Sequence, residues 1–303
     1  KEEKKKSIKF EYRNKFEVYT ELKNSKYKNL KVNVPPTFHI NKKLDIFPLS
    51  GVSNSMTIYC NENGYYSLFQ SDRYGFNNLD TEWDQKEIEF FLLGDSFILG
   101  ACVNRPHDIS SVLKNLSNKS VVNTGYSKNG PLIQYATLKE YFQPKIKNII
   151  WFYYESDLDD LTNELNSKIL RKYIEDINFK QDLIYKQNEI DKIGNKTIDE
   201  ELKKELNSKK YFDDKLSFKV KKFIDLWNLR ELLFYTNRLK TKKEFNPPKE
   251  FKKIIELAKN LADKNNSNFH FVYLPSYGRY VKKYNNQEYK FIKKTIGNLN
   301  INF

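Results

Sequence analysis

The sequence contains few of the residues that build metal sites, disulfide scaffolds or membrane spans. Its 303 residues include only two cysteines, Cys60 and Cys102, so a zinc site made of cysteines alone and a disulfide-dense scaffold are both excluded. Histidine occurs three times and methionine once. No apolar run approaches the about 20 residues that a helix needs to span a bilayer. The chain therefore has to be interpreted from its core-forming and charged residues.

The apolar and charged residues are those of a folded, globular protein. Hydrophobic residues make up 39% and aromatic residues 15% of the chain, enough for one large core or two modest ones. The formal charge of +14 comes from 53 basic against 39 acidic residues. Because the lysines occur in short pairs mixed with Asp and Glu, they indicate a solvated surface rather than one basic element. We predict no nucleic-acid partner; such a binder would show steeply salt-dependent affinity.

The middle of the chain alternates apolar strands with helices. Residues 1–84 look irregular, with short strands, and are expected to pack on the core that follows. From Ile88 the order strand, helix, strand, helix, strand is predicted, which favours a parallel sheet covered on both faces. Both helices begin with proline, whose missing N–H suits the first helical position. The predicted elements are strands at Glu89–Asp95, Ser120–Thr124 and Asn148–Tyr154, and helices at Pro106–Leu116 and Pro131–Phe142.

A charged segment of helical character, residues 157–243, interrupts this pattern and is predicted to be a helical insertion over the sheet. The alternation then resumes, so residues 85–303 are predicted to form one α/β domain. The later elements are a helix at Lys249–Ala262, a strand at Phe269–Leu274, a helix at Glu288–Ile296 and the start of a strand at Ile301–Phe303. Because the chain lacks an initial Met and stops as a strand begins, we expect a fragment truncated at both ends.

Gly94-Asp95-Ser96 follows the first predicted strand, where open α/β folds place their chemistry. Ser96 is therefore a candidate nucleophile whose Oγ attacks an acyl carbon. The backbone N–H groups of Ser96 and of Gly125, after the next strand, are candidate donors to the developing oxyanion. Asp95 is expected to brace the turn. Taken alone, the tripeptide also fits an ordinary strand-to-helix turn with a capping residue.

Further segments of the chain, in order, support the catalytic interpretation. With them the chain resembles the SGNH, or GDSL-type, hydrolases: Gly94-Asp95-Ser96-Phe97 matches the first block of that family and Gly125 the glycine of the second. The similarity runs from about Asp45 onward. Within the family, the chain resembles a bacterial SGNH-like group that is often encoded near polysaccharide genes. The other segments that carry it are Phe47–Gly51, Cys60–Glu62, Asp72–Asn78, Gly100–Val103, Asn129–Leu132 and Trp151–Glu155.

The resemblance implies a flavodoxin-like three-layer α/β/α sandwich with a mainly parallel sheet. It also implies a serine ester hydrolase without a cofactor, which acts through an acyl-serine intermediate on a small-molecule or glycan ester. Two alternatives stay open. One is a carbohydrate O-acyltransferase that uses the same serine, because both reactions share the acyl-enzyme. The other is a catalytically inactive SGNH-like domain that binds glycan.

The chain departs from the family after the third strand. An asparagine there donates to the oxyanion in the family, whereas this chain has Glu155-Ser156-Asp157. Ser156 becomes the candidate donor, provided that its hydroxyl rotates toward the substrate. Asn129 is an alternative donor. Losing one oxyanion donor typically costs about 10² to 10³ in rate, so we expect impaired rather than abolished activity.

The general base is the second departure. The family uses a histidine in a late Asp-Xaa-Xaa-His block, beyond the last strand. The histidines of this chain are His39, His107 and His270, and none is at that place. His270 is expected in the core or behind the site, and His107 on the surface. The expectation is that the base and its aspartate lie beyond Phe303.

Cys60 and Cys102 both lie in the matched segments. Two states stay open for them: free thiols, or a disulfide that ties the N-terminal region to the sheet. The bridge is favoured if the protein works outside the cytoplasm. The cysteines, the missing start and the likeness to polysaccharide-associated proteins together favour an extracytoplasmic location, with any membrane anchor outside this chain.

Four acidic residues after the third strand suggest a metal site as one interpretation. Because they open a predicted helix, whose N-terminal dipole favours negative charge, the helical interpretation is preferred and no metal is predicted. These residues are Asp157, Asp159, Asp160 and Glu164.

Overall fold

The computed structural model describes residues 10–213, 245–281 and 286–303. It is a mixed α/β structure with a parallel sheet and helices, which confirms the coarse fold prediction. The chain forms two compact units, Lys1–Lys196 with Pro247–Phe303, and Thr197–Asn246. Part of the predicted helical insertion, residues 214–244, lies outside the described residues.

The parallel sheet has four strands in the order β5-β4-β6-β7. The residues paired across neighbouring strands include Leu92 with Asn123 and Leu93 with Trp151. Strands β4 and β5 are mostly buried, as expected for a parallel sheet covered by helices, whereas β6 and β7 bury only some of their residues. The strands are β4 (Ile88–Leu93), β5 (Val121–Asn123), β6 (Ile146–Tyr154) and β7 (Asn268–Leu274). The predicted strand at residues 301–303 is only a single bridge between His270 and Asn302.

Helices follow the strands of this sheet. Those between and after β4 to β6 are α2 (Ser96–Leu99), α3 (Ile109–Ser117), α4 (Pro131–Tyr141), α5 (Asp157–Glu164), α6 (Lys168–Glu175) and α7 (Gln187–Asp213). Those around β7 are α8 (Glu250–Lys264), α9 (Gly278–Val281) and α10 (Gln287–Asn298). Every residue of α4 is buried, because the helix packs against β4, α5, α6 and α8. Short 3₁₀ helices occupy Pro36–His39, Asp80–Asp84 and Leu183–Tyr185.

The two helix starts that were predicted from proline differ in outcome. Pro131 does occupy the first turn of α4. The prediction for Pro106 was wrong, since α3 begins at Ile109. The physical reason is the cap: the Asp108 carboxylate accepts from the backbone N–H of Ser111 at 3.0 Å and satisfies the first turn there.

The N-terminal region contains a helix that the sequence analysis did not predict. Helix α1 (Lys15–Ser25) begins with a capping box, in which Asn14 and Glu17 exchange side-chain to backbone hydrogen bonds. The Asn-Xaa-Xaa-Glu spacing was the signal for it. The short strands predicted in this region are present as a separate sheet of β1 (Leu30–Val32), β2 (Met56–Ile58) and β3 (Leu68–Gln70).

Asp72 organises the loop between β3 and β4. Its carboxylate is 1% exposed and accepts hydrogen bonds from four donors. These are the backbone N–H groups of Tyr74 and Phe76 at 2.8 and 2.9 Å, Nδ2 of Asn78 at 2.8 Å and Nε1 of Trp83 at 2.7 Å. Burial raises the pKa of Asp72 to about 6, although the donors oppose the rise. The loop thus folds around one carboxyl group.

Asp72→Ala should lower the free energy of unfolding by about 3 kcal/mol or more, since each buried donor left without an acceptor costs about 1–3 kcal/mol. Urea denaturation followed by circular dichroism measures the loss. Asp45→Ala removes an exposed carboxylate and is the matched control, with an expected change below about 0.5 kcal/mol. Equal losses in the two variants would contradict the role of Asp72.

Candidate active site

Ser96 lies at the first position of α2, directly after β4 and the Gly94-Asp95 turn. Gly94 is required by space, because a Cβ on it would lie 2.4 Å from Cγ1 of Ile98. The Asp95 carboxylate accepts from the backbone N–H of Phe97 at 2.9 Å and caps the helix. Asp95 therefore braces the turn, as predicted. The half-buried Ser96 side chain lies at the carboxyl end of β4, an inner strand of the sheet.

The contact between Ser96 and Asp95 is long for a hydrogen bond between oxygens. Oγ of Ser96 lies 3.5 Å from Oδ2 of Asp95, whereas such bonds usually measure about 2.5–3.0 Å. Burial raises the pKa of Asp95, although N–H groups of residues 95–97 oppose the rise. Because its carboxylate is directed at those amides, Asp95 serves the turn and is poorly placed as a base.

Gly125, the second predicted oxyanion donor, lies in the loop after β5. A Cβ on it would lie 2.5 Å from Cβ of Ile98 and 2.9 Å from the backbone N of Leu99. Glycine thus lets this loop pack directly on α2. The Gly125 N–H donates to Oδ1 of Asn123 at 2.9 Å, so this amide already has an acceptor within the protein.

Ser156, the third predicted site residue, follows β6 and is exposed. Its backbone is left-handed, with φ 99°. The Ser156 N–H donates to Oε1 of Glu288 at 2.9 Å, and the Tyr153 hydroxyl donates to the same oxygen at 2.6 Å. Because β4 and β6 pair in parallel, Ser96 and Ser156 lie at the same edge of the sheet. The rings of Phe97 and Tyr154, 4.7 Å apart, join the two turns.

Tyr59 lies near the site, and its role was not predicted from the sequence. It follows β2 in the N-terminal region and is half-buried. Burial raises the pKa of Tyr59 to about 12, and the hydroxyls of Ser127 and Ser96 oppose the rise. Ser127 in turn donates to Oδ1 of Asn33 at 2.7 Å. The only sequence signal for Tyr59 was its position next to Cys60.

Cys60 and Cys102 form a disulfide, which resolves the two states left open by the sequence. Cys60 is adjacent to Tyr59, and Cys102 lies in the turn that follows α2. The bond therefore fixes the end of the segment that carries Tyr59 to the element that carries Ser96. It is a covalent cross-link between the N-terminal region and the site.

The acidic residues after β6 serve the fold at this edge. Asp157 is buried and accepts from the backbone N–H of Tyr154 at 3.2 Å and from Gln134 at 3.3 Å. Burial, and the negative charges of Asp95 and Asp160, raise its pKa well above the ordinary value. Burial also raises the pKa of Asp160 to about 6. Within the described ranges, no three His, Cys, Asp or Glu side chains are grouped to hold a metal ion.

Glu164 is fully buried and caps the start of α4. It accepts from the N–H groups of Gly130, Leu132 and Ile133 at 2.6, 2.9 and 3.3 Å. A carboxylate at this point interacts favourably with the helix dipole. Burial nevertheless raises its pKa to about 8.

The three histidines lie in three different segments of the described chain. His39 is buried beside Phe47, with ring centroids 6.3 Å apart. His107 is exposed in the turn before α3. His270 is half-buried within β7, with Nδ1 3.5 Å from Nδ2 of Asn302. Among the described residues, the side chain of Ser96 hydrogen-bonds to Asp95 and to no histidine.

Asn129, the alternative oxyanion donor, is fully buried in the loop between Gly125 and α4. Its backbone carbonyl accepts from Nε2 of Gln134 at 2.7 Å. Neither its Oδ1 nor its Nδ2 has a hydrogen-bond partner in the described part of the chain. Because the side chain is buried, a substrate at Ser96 would not reach it in this conformation.

A cavity of about 340 Å³ lies beside the start of α3, and none of the predicted site residues lines it. Its charged side chains are Glu82, Arg105 and Lys114. Lys114 pairs with Glu82, and Nη2 of Arg105 donates to the Asn77 carbonyl at 2.6 Å. These contacts connect the N-terminal region to α3 and to the loop before it.

Comparison with known proteins gives no assignment. No protein-family model matches the chain, and no match was found among curated proteins or solved structures. Among the helices of the described residues, none combines the length and the apolar character that crossing a membrane requires. Function therefore has to be inferred from the site itself.

The buried Glu164 should make stability depend on pH. Its pKa in the folded protein, about 8, lies above the ordinary 4.5, so the folded state holds the proton longer than the unfolded state. The contribution of Glu164 to the free energy of unfolding is complete below about pH 4.5 and is lost as the pH rises to 8. Each pH unit in that window lowers the free energy of unfolding by at most about 1.4 kcal/mol.

Glu164→Gln should flatten this dependence, measured by urea denaturation at several values between pH 4.5 and 8. Glu62→Gln, which changes an exposed glutamate in the same way, should keep the wild-type slope. A Glu164→Gln protein whose stability falls as steeply as wild type would contradict the protonation of Glu164.

Proposed function

We propose that the protein is a serine ester hydrolase of the SGNH type, with Ser96 as the nucleophile. The observation that carries the proposal is the position of Ser96: a half-buried hydroxyl at the start of α2, at the carboxyl edge of the central parallel strand. Open α/β sheets bind ligands at this edge. The loops with Gly125 and Ser156 follow the strands on either side of β4.

The strand order supports the finer fold proposal, a flavodoxin-like three-layer sandwich. The first strand of the sheet, β4, pairs with the second, β5, on one side and with the third, β6, on the other. The next strand along the chain is thus added on one side of β4 and the one after it on the other side. The carboxyl end of β4 is therefore a topological switch point. Ser96 follows that end directly. Strand order of this kind is what the SGNH proposal requires.

The proposed reaction proceeds through an acyl-enzyme. Oγ of Ser96 bonds to the acyl carbon while its proton passes to a base, and the ester C–O bond then breaks to release the alcohol. Water hydrolyses the acyl-serine and regenerates Ser96. A small-molecule or glycan ester is the proposed substrate class. The disulfide supports a proposed location outside the cytoplasm, where such bonds persist.

A catalytically inactive glycan-binding domain of the same fold is the second candidate. The observation in its favour is the absence of a histidine among the described side-chain partners of Ser96. The two candidates differ in one property that can be measured directly, the reactivity of Ser96.

The full-length protein should be labelled by a fluorophosphonate probe at Ser96, because an activated serine forms a covalent bond to phosphorus. Mass spectrometry of the labelled peptide identifies the site. Ser96→Ala should abolish the label, while Ser25→Ala, which alters an exposed serine of α1, should not. Absence of labelling in the wild-type protein, next to a labelled control esterase, would favour the inactive glycan-binding domain.

A further inference from the structure

The cavity beside the start of α3 has no part in the reaction proposed for Ser96. Its volume, about 340 Å³, lies within the range of small-molecule pockets, about 300–1,000 Å³. Its lining comes from the loop after β3, the segment before α3, the first half of α3 and the start of β5. Ser96 is not one of its lining residues. What the cavity could hold follows from the hydrogen-bonding groups that line it.

Arg105 is the lining residue with the most unused donors. A guanidinium carries several N–H groups in a fixed fork and has no acceptor. Within the described part of the chain, Arg105 makes one hydrogen bond, from Nη2 to the Asn77 carbonyl at 2.6 Å, and no ion pair. Its Nε is buried without an acceptor there. A cation left in this state is costly, so an acceptor supplied by a ligand would stabilise it.

Lys114 brings a second positive charge to the cavity. It pairs with Glu82, whose other carboxylate oxygen accepts from the Val121 N–H at 3.1 Å. Each oxygen of Glu82, the one carboxylate in the lining, therefore already has a donor. The ammonium of Lys114 has further N–H groups beyond the one that Glu82 accepts. The charged lining residues thus offer donors, and they select a ligand that is rich in acceptors.

Nearby carboxylates do not fully compensate the charge of Arg105. Asp72, Glu82 and Asp108 are close enough to act on its pKa and would raise it, yet burial lowers the pKa overall. Asp108 is engaged by the hydroxyls of Ser110 and Ser111. The surroundings therefore disfavour the charged guanidinium. An anion in the cavity would reverse that balance.

Arg105 is also held in position. Asn77, which accepts from its Nη2, is 2% exposed and donates from Nδ2 to the Leu99 carbonyl at 2.8 Å. The guanidinium is thus connected through one buried side chain to the end of α2. A group that is fixed before binding loses less conformational freedom when the ligand arrives.

The cavity also has apolar lining residues: Leu79, Pro106 and Val121. Leu79 is 54% exposed, whereas Val121 is buried. Pockets for small molecules combine such apolar surface with a few polar groups that fix orientation. An organic group attached to an anion would pack against these side chains.

We propose that this cavity binds a small phosphomonoester, with the phosphate at Arg105 and Lys114 and the organic group against Leu79 and Val121. The guanidinium fork matches the geometry of phosphate oxygens. A phosphate group has a charge of about −2 at neutral pH and several strong acceptor oxygens, enough for both cations. The site lies apart from Ser96, so its test is independent of the esterase proposal.

Isothermal titration of the protein with phenyl phosphate tests the site. Wild type should bind one molecule, and Arg105→Gln should raise Kd by about 10-fold or more, because charged hydrogen bonds to the phosphate are lost. Arg171→Gln is the matched control: it removes an exposed guanidinium of α6 that pairs with Glu175 at 3.2 Å, and it should keep the wild-type Kd. Benzoate, which carries the same ring on a carboxylate, should bind more weakly.

Leu79→Trp is a second variant, which decides the question if Arg105→Gln melts well below the wild-type temperature. Because Leu79 is exposed on the cavity lining, the larger ring should occupy space in the cavity with little effect on the core, and it should block binding. Wild-type protein that does not bind phenyl phosphate would overturn the site. So would a wild-type Kd in a folded Arg105→Gln protein or in Leu79→Trp. Tighter binding of benzoate would overturn the choice of phosphate.

Discussion

Strand β4 pairs in parallel with β5 on one side and β6 on the other, and the positions of Ser96, Gly125 and Ser156 depend on this pairing. Parallel strands end at the same edge, so the turns that follow β4, β5 and β6 lie next to one another. The packing of Gly94 and Gly125 against Ile98 leaves no room for a Cβ at either glycine. The site is thus positioned by backbone hydrogen bonds and close backbone packing rather than by long side chains.

Buried polar groups then attach the other segments to this sheet. Asn78 donates to the Asn123 carbonyl and accepts from the Asn123 N–H, both at 2.8 Å, while Asp72 holds Asn78 in turn. Glu164 connects α5 to the start of α4. Such groups are costly to bury, and their hydrogen bonds offset that cost only when all are made. Several buried carboxyls consequently have raised pKa values, which couples the stability of the fold to pH.

The N-terminal region is connected to the segments around the site in this structure. The Cys60–Cys102 disulfide and the hydrogen bond from Ser127 to Asn33 make these connections. An interpretation based only on the strand-end turns and the SGNH resemblance would make the backbone amides and Ser156 the hydrogen-bond donors to the oxyanion. The amides of Gly125 and Ser156 are instead engaged within the protein.

The sequence by itself determined the parallel strands and most helices, because apolar runs and helical periodicity are local properties of the chain. It also determined the Gly94-Asp95-Ser96 turn, whose cap uses neighbouring residues. It did not reveal that Asn78 pairs with Asn123 or that Ser156 donates to Glu288. Only the tertiary structure decided these two contacts, since they join segments far apart in the chain, and spacing in sequence carries no information about which buried donors and acceptors will meet.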